Sequence, residues 1–135
     1  MIKLIVGSRG SGKTKQLVDM INKAVETSSG NIVCIEKGMQ LTYDLDHRCR
    51  LVDMDEYNIK GCERFYGFVA GLLAGNYDIQ GLYIDGILKV LDGKLENLGI
   101  LLEHLDKLAG EQVDFVVTVS ADAGALPESV KKYAG

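Results

Sequence analysis

The sequence predicts an α/β fold in which about five mostly parallel strands form one sheet with helices on both faces. Short apolar runs of strand length alternate along the chain with stretches of helical periodicity. The runs are apolar throughout rather than alternately polar, as in parallel sheets that are covered on both sides. With 135 residues, 47% of them hydrophobic and 25% charged, the chain can bury a sizeable core and is expected to form a single domain over residues 1–135.

The first half of the chain divides into clear elements. Residues 2–6 form an apolar run typical of a buried strand. Residues 13–27 carry apolar side chains at three- and four-residue steps, which predicts a helix that ends near Gly30. Residues 31–36 predict the second strand. Residues 39–50 mix polar side chains with few apolar positions and predict a loop, with or without a short helix.

The second half repeats the alternation of strands and helices. Residues 51–54 predict a weak third strand, residues 61–75 a helix, and residues 81–85 a buried strand that ends in a carboxylate. Residues 112–119 predict the last clear strand. Pro127 marks the start of a short terminal helix, because proline is favoured in the first helical turn.

Two helical patterns carry a packing prediction. Gly67, Gly71 and Gly75 lie four residues apart, which predicts a close approach of their helix to the sheet. After residue 85 we expect a long helix with a stripe at alternating steps of four and three: Leu91, Leu95, Leu98, Leu102, Leu105 and Ala109. The stripe is expected to pack on the sheet, with a helix-mediated dimer as the alternative.

A glycine-rich stretch between the first strand and the first helix matches the phosphate-binding pattern G-x-x-x-x-G-K-[ST], known as Walker A. Its residues are Gly7, Ser8, Arg9, Gly10, Ser11, Gly12, Lys13 and Thr14. The glycines let successive backbone N–H groups approach a phosphate, and the positive end of the following helix reinforces that nest. Lys13 is expected to hold the β- and γ-phosphates during binding and catalysis, and the Thr14 hydroxyl to bind Mg²⁺. The stretch therefore predicts a nucleoside triphosphate site.

A second candidate element of the site is the apolar run 82–85, which ends in Asp85. An aspartate at the end of such a strand helps to hold Mg²⁺ through water in nucleotide-binding folds, the Walker B arrangement. Asp85 and Thr14 are therefore predicted to share the metal.

With these two motifs the chain resembles the P-loop NTPase superfamily in its compact, single-domain bacterial type. The early motif and short domain are most similar to the thymidine-kinase-like and recombinase-like branch, and short bacterial proteins of this type are sometimes labelled twitching-motility ATPases. The likeness to those motors extends little beyond the phosphate loop, so no motor role is inferred. Members of the branch often place a glutamate directly after the Walker B aspartate, whereas this chain has Gly86. That departure implies slow hydrolysis or a partner that supplies the missing group.

Two carboxylates are candidates to replace that glutamate. Glu36 ends the second strand and would point toward the γ-phosphate if that strand neighboured the first, so it is the predicted catalytic base. Asp122 follows the last strand and is the alternative base. Thr118 or Ser120 resembles a polar sensor at a strand end.

Composition excludes several classes of function. A formal net charge of −4 argues against nucleic acid as the main partner. No apolar run has the length of a membrane span, and the apolar start is too short for a signal peptide, so a cytoplasmic location is expected. The 3 cysteines lack C-x-x-C spacing, which argues against zinc and against a disulfide framework. The N-K-x-D pattern of guanine-specific proteins is absent from the sequence, which favours adenine.

The predicted function is binding of Mg²⁺ and ATP with slow or partner-stimulated hydrolysis, and the sequence leaves open whether the chain is an enzyme on its own. One alternative is a nucleotide-sensing module that binds without turnover and acts through a protein partner or a homodimer. The other is a small-molecule kinase of the nucleoside type, with residues 43–57 forming part of an acceptor pocket.

Overall fold

The computed structural model describes residues 1–134; Gly135, the last residue of the predicted domain, lies outside them. Within that range the chain forms one sheet of five strands: β1 (Ile2–Gly7), β2 (Asn31–Glu36), β3 (Arg50–Asp53), β4 (Ile79–Ile84) and β5 (Asp114–Ser120). The α-helices of the same range are α1 (Lys13–Thr27), α2 (Cys62–Ala74), α3 (Leu98–Ala109) and α4 (Glu128–Lys131). Short 3₁₀ helices lie at Ile87–Lys89, Leu95–Asn97 and Ala123–Ala125.

The strand order β1-β5-β4-β2-β3 determines which strand ends meet. Every neighbouring pair is parallel, and β5 separates β1 from β4. Because all five strands run the same way, their carboxyl ends lie along one edge of the sheet. The residues that end the strands at this edge are Gly7, Glu36, Asp53, Ile84 and Ser120.

Each face of the sheet carries its own hydrophobic core. On one face α1 buries Leu17, Ile21 and Val25 against the sheet, and Leu41 and Leu45 of the following loop extend that cluster. Leu17 and Ile21 are fully buried, and each such side chain contributes about 1.5–3 kcal/mol relative to an exposed one. The larger core lies on the other face beneath α2, α3 and α4. The predicted α/β architecture with helices on both faces is therefore confirmed.

The free edge of β1 is partly covered by the C-terminal segment. The Leu4 N–H donates to the Tyr133 carbonyl oxygen at 3.2 Å. The Met1 amino group donates to the Gly110 carbonyl oxygen at 2.8 Å, next to the start of β5. These contacts hold β1, and with it the loop that follows Gly7, in a fixed position against the sheet.

The long helix predicted after residue 85 is wrong in its first half. The chain forms a 3₁₀ helix at Ile87–Lys89, turns at Asp92 and Gly93 with φ of 52° and 77°, and begins α3 only at Leu98. Two consecutive left-handed residues cannot lie inside a right-handed helix. The stripe from Leu91 to Ala109 is nevertheless packed in the chain's own core, so it is not available as a dimer surface.

The predicted close approach of the glycines on α2 is also wrong. Gly67, Gly71 and Gly75 are exposed, and a methyl group added at Gly67 or Gly71 would meet no atom within 4 Å. The helix instead turns Phe65 and Val69 toward the core, where both are fully buried. Of the loop predicted over residues 39–50, residues 39–49 form turns and bends without a helix, and Arg50 begins β3.

Candidate functional site

The phosphate loop joins β1 to α1 through three glycines that the geometry requires. Gly10 and Gly12 have φ of 83° and 91°, in the left-handed region that side chains resist. A Cβ at Gly7 would collide with the hydroxyl of Ser11. Gly12 precedes α1 without a side-chain cap, so the first N–H groups of that helix face outward at its positive end. The loop therefore has the form of an anion cradle.

Lys13 lies inside the curve of this loop. Its side chain is buried, and its Nζ donates to the Ser8 carbonyl oxygen at 3.0 Å. The other predicted side chains of the loop, Ser8, Arg9 and Ser11, are exposed on its rim. The buried ammonium thus stays within the loop, where a bound phosphate would also meet the backbone N–H groups.

Thr14 and Asp85 come together at the end of the loop. The Thr14 Oγ1 lies 3.4 Å from each carboxylate oxygen of Asp85. The Asp85 backbone is fixed by its N–H bond to the Ile35 carbonyl oxygen at 2.9 Å, which continues the pairing of β4 with β2. The two residues predicted to share a metal are therefore neighbours, although β1 and β4 are not adjacent strands.

The chemistry of this pair fits Mg²⁺. A hydroxyl and a carboxylate supply the oxygen ligands that Mg²⁺ prefers, and this cation ordinarily takes its remaining ligands from phosphate and water. Over residues 1–134 no group of three or more His, Cys, Asp or Glu side chains is placed to hold a metal. The pair suits a cation that arrives with a nucleotide better than one held in a complete protein cage.

Thr118 on β5 holds the Asp85 carboxylate in place. Its side chain is buried, its Oγ1 donates to the Asp85 Oδ1 at 2.8 Å, and the same oxygen accepts the Gly86 N–H at 2.7 Å. Ser120, the other predicted sensor residue, is exposed and pairs in register with Gly7. Of the two candidates, Thr118 is the one that contacts the predicted metal ligand.

The backbone explains why a glycine follows Asp85. Gly86 has φ of 78° and ψ of 54°, the left-handed conformation that begins the 3₁₀ helix at Ile87–Lys89. A Cβ at this position would lie 3.1 Å from Cδ and 3.2 Å from Cε of Lys89. A glutamate here would therefore be strained in its backbone and crowded by Lys89. No sequence signal predicts this position of Lys89, because it depends on a 3₁₀ helix where a long α-helix was predicted.

Glu36 lies at the end of β2, but the condition stated for it is not met. β2 pairs with β4 and β3, whereas β5 and β4 separate it from β1. Ile35 and Ile84 are partners in the β2–β4 register, so Glu36 lies beside Asp85 rather than beside the phosphate loop. Its side chain is 3% exposed, and its Oε2 accepts the Leu41 N–H at 2.9 Å.

The environment of Glu36 perturbs its acidity. Burial raises the pKa of its carboxyl, the Leu41 N–H opposes that rise, and the negative charge of Asp85 adds to it. The positive charge of Lys89 acts in the opposite direction. Asp122, the alternative base, is exposed, and its Oδ1 accepts the Gly124 N–H at 3.4 Å, so it caps the short 3₁₀ helix at Ala123–Ala125.

An open cavity of about 710 Å³ lies along the carboxyl ends of the strands. Its walls include Lys37 after β2, Lys89 after β4 and Ser120 at the end of β5. Of the segment predicted as an acceptor pocket, residues 43–57, Asp55 forms part of this wall, whereas Tyr43 is 98% exposed to solvent. None of the helices within residues 1–134 has the length and apolar character needed to cross a bilayer.

Comparisons with known proteins give similarity at the level of structure. No protein-family model matches the chain, and no curated protein does. The chain is similar to the pCW3 conjugation coupling protein TcpA, solved as a monomer with ATPγS, at 15% identity and a TM-score of 0.59 over 98% of this chain and 46% of that one. It is also similar to PCH-2 of C. elegans, at 14% identity and a TM-score of 0.58 over 98% of this chain and 33% of that one. The chain thus spans less than half the length of either neighbour, and at these identities the likeness concerns the fold.

Proposed function

We propose that the chain is a compact P-loop NTPase domain that binds ATP with Mg²⁺ and hydrolyses it slowly, or faster with a partner. The observation that carries the proposal is the convergence of the Thr14 hydroxyl and the Asp85 carboxylate, 3.4 Å apart, at the mouth of the phosphate loop. The similarity to a structure that holds ATPγS supports the choice of ligand. The single-domain organisation, the cytoplasmic setting and the relation to the thymidine-kinase-like and recombinase-like branch belong to the same proposal.

Each residue of the proposed site has its own role. The N–H groups of the loop and Lys13 hold the phosphates, and Thr14 and Asp85 hold Mg²⁺, the second through water. When bound, the metal ion would draw charge from the phosphate oxygens and so lower the barrier to attack. Glu36 would accept the proton of the attacking water, and burial, which raises its pKa, makes its carboxylate a stronger base. Because the Glu36 side chain is only 3% exposed and is bonded to the Leu41 N–H, we expect hydrolysis to be slow until the segment containing Leu41 moves.

Calorimetric titration of the wild type and of Lys13→Ala with ATP and Mg²⁺ tests this function. Because Lys13 supplies the buried positive charge of the loop, its loss is expected to weaken binding by about 100-fold, as removal of a charge-assisted contact does. Lys15→Ala is the matched control, since Lys15 is an exposed residue on the same helix. A wild type that binds neither ATP nor ADP, or a Lys13→Ala variant that binds as well as the wild type, would contradict the proposal.

A phosphate-release assay on the same samples separates the alternatives. Measurable release by the wild type establishes the NTPase. Binding without release, together with a nucleotide-dependent change of oligomeric state, establishes the sensing module. Transfer that appears only when a nucleoside is added establishes the kinase, for which the cavity of about 710 Å³ beside the strand ends offers space for an acceptor.

A further inference from the structure

We propose that Lys89 contacts the γ-phosphate of bound ATP and gives the site its preference for the triphosphate over the diphosphate. The inference rests on the proposed function, because it assigns a role within the same nucleotide site. It concerns a residue that none of the predicted motifs contains. Lys89 ends the 3₁₀ helix Ile87–Lys89, which begins directly after the Asp85–Gly86 pair at the carboxyl end of β4.

The path of the Lys89 side chain is set by Gly86. Its Cδ and Cε would lie 3.1 and 3.2 Å from a Cβ built at Gly86, and its Nζ 3.5 Å from the same point. The aliphatic part of Lys89 therefore lies over the glycine, in the space that a side chain after Asp85 would need. Gly86 contributes to this arrangement in two ways. Its φ of 78° allows the 3₁₀ helix to begin, and the absence of a side chain leaves room for Lys89.

Lys89 lies at the strand-end edge of the sheet, where the candidate nucleotide site also lies. Lys89 forms part of the wall of the cavity along the strand ends, together with Ser120, whose register partner is the first residue of the phosphate loop, Gly7. Its charge also acts on the carboxylate of Glu36, which places it on the β2–β4 side of Asp85. Within the described residues Lys89 belongs to no ion pair within 4.0 Å. The cation is thus near the site and is not committed to a carboxylate.

The position of this cation favours the last phosphate of the nucleotide. Lys13 donates to the Ser8 carbonyl oxygen of the loop and would contact bound phosphates from the β1 side. Lys89 follows Asp85 after β4, so a γ-phosphate that extends with its metal from the loop past Asp85 would come to this side chain. Two negative groups, Asp85 and Glu36, border that region, and a γ-phosphate would add further negative charge there. A positive side chain on that wall offsets this repulsion for ATP and has no phosphate to contact in ADP.

Binding of ATP and of ADP, each with Mg²⁺, to the wild type, Lys89→Gln and Lys89→Arg tests the inference. Lys89→Gln is expected to weaken ATP binding at least about tenfold, the loss of one charge-assisted contact, and to leave ADP binding within about twofold. Lys89→Arg is expected to keep most of the preference, because it keeps the charge. Lys107→Gln is the matched control, since it removes an exposed lysine from α3 that pairs with Glu103.

The outcomes of this experiment distinguish the two proposals. If the wild type binds both nucleotides and Lys89→Gln leaves the ratio of their affinities unchanged, the role of Lys89 is wrong while the proposed function stands. Equal weakening of ATP and ADP would also overturn it, because a γ-phosphate contact cannot act on ADP. A wild type that binds neither nucleotide would overturn both. Urea unfolding of each variant confirms that any loss of binding occurs in a folded chain.

Discussion

Thr118 shows how one buried hydroxyl joins three parts of the site. Its Oγ1 donates to Asp85 and accepts the N–H of Gly86, so a residue of β5 fixes both the proposed metal ligand and the turn that follows it. A hydroxyl can do both because it carries one donor and two acceptor lone pairs. β5 lies between β1 and β4, so this contact is made at the centre of the site.

Thr118→Val is therefore expected to lower the free energy of unfolding by about 1–3 kcal/mol, because the buried N–H of Gly86 loses its acceptor while the side-chain volume is kept. Binding of ATP with Mg²⁺ should weaken as well, since Asp85 loses the bond that orients it. Urea unfolding and calorimetry measure the two effects. Thr118→Ser keeps the hydroxyl and is the control. Equal stability and binding in Thr118→Val and the wild type would show that the contact has no energetic role.

Glu36→Gln tests the proposed base without removing its structural bond. Glutamine keeps an oxygen that can accept the Leu41 N–H but cannot take up a proton, so phosphate release is expected to fall by about 10²–10⁴-fold with ATP binding retained. Asp122→Asn is the comparison, because that carboxylate caps a local turn and should leave the rate unchanged. Release that survives in Glu36→Gln and is lost in Asp122→Asn would transfer the role to Asp122.

At the scale of the elements, replacement by alanine is expected to have opposite effects in α2 and in the turn after β4. Gly67 and Gly71 lie exposed within α2, where an added methyl group meets no atom within 4 Å. Gly86 lies at φ of 78° and is crowded by Lys89. The same substitution is therefore favourable in the helix and unfavourable in the turn.

Gly71→Ala is expected to raise the free energy of unfolding by about 0.8–1 kcal/mol, the difference in helix propensity between the two residues. Gly67→Ala should behave in the same way. Gly86→Ala should lower the free energy of unfolding by about 1–2 kcal/mol, because alanine resists the left-handed conformation. Urea unfolding of the three single variants provides the measurement. Destabilisation by Gly71→Ala would mean that this face of α2 is packed rather than exposed.

The elements that the sequence predicted well are those whose local signals agree with their packing. The predicted bounds of α1 and β2 are the observed ones, because α1 carries one clear apolar face and β2 is an apolar run with breaks on both sides. The long helix was wrong because the leucine spacing outweighed Asp92-Gly93, an Asp-Gly pair that is typical of turns. Spacing within a chain cannot separate a helix from consecutive turns that bury the same leucines.

The candidate site was predictable where its residues stand at strand ends that can be recognised in the sequence. The phosphate loop and Asp85 stand at the ends of predicted strands, and parallel strands bring those ends together. The positions of Glu36 and Lys89 depended on the strand order and on the conformation of Gly86, neither of which has a local signal. This is why the sequence could not decide whether the strand of Glu36 neighbours β1, which it does not, and why Lys89 was not predicted.

At the scale of the whole molecule, the single sheet couples two cores that are otherwise separate. One cluster lies beneath α1 and includes Leu17 and Tyr83, and the other lies beneath α3 and includes Leu102, with Tyr66 packed against it. Both are built on the same five strands. Loss of either core would expose a face of strands that the other core needs, so we expect the two to unfold together.

Urea unfolding followed by far-UV circular dichroism and by tyrosine fluorescence should therefore give one coincident transition. The chain has no tryptophan and 6 tyrosines, of which Tyr83 lies in one core and Tyr66 packs against the other, so tyrosine fluorescence responds to the loss of either core. Leu17→Ala and Leu102→Ala, at fully buried positions on opposite faces, are each expected to lower the free energy of that one transition by about 2–5 kcal/mol. ATP with Mg²⁺ at about 100 times its dissociation constant should raise the free energy of unfolding of the wild type by about 2.7 kcal/mol, because the ligand binds only the folded chain. Two separate transitions, each sensitive to one variant, would mean that the chain unfolds as two units. This result would contradict the proposed single nucleotide-binding domain, since the phosphate loop and Glu36 are held by strands that both cores share.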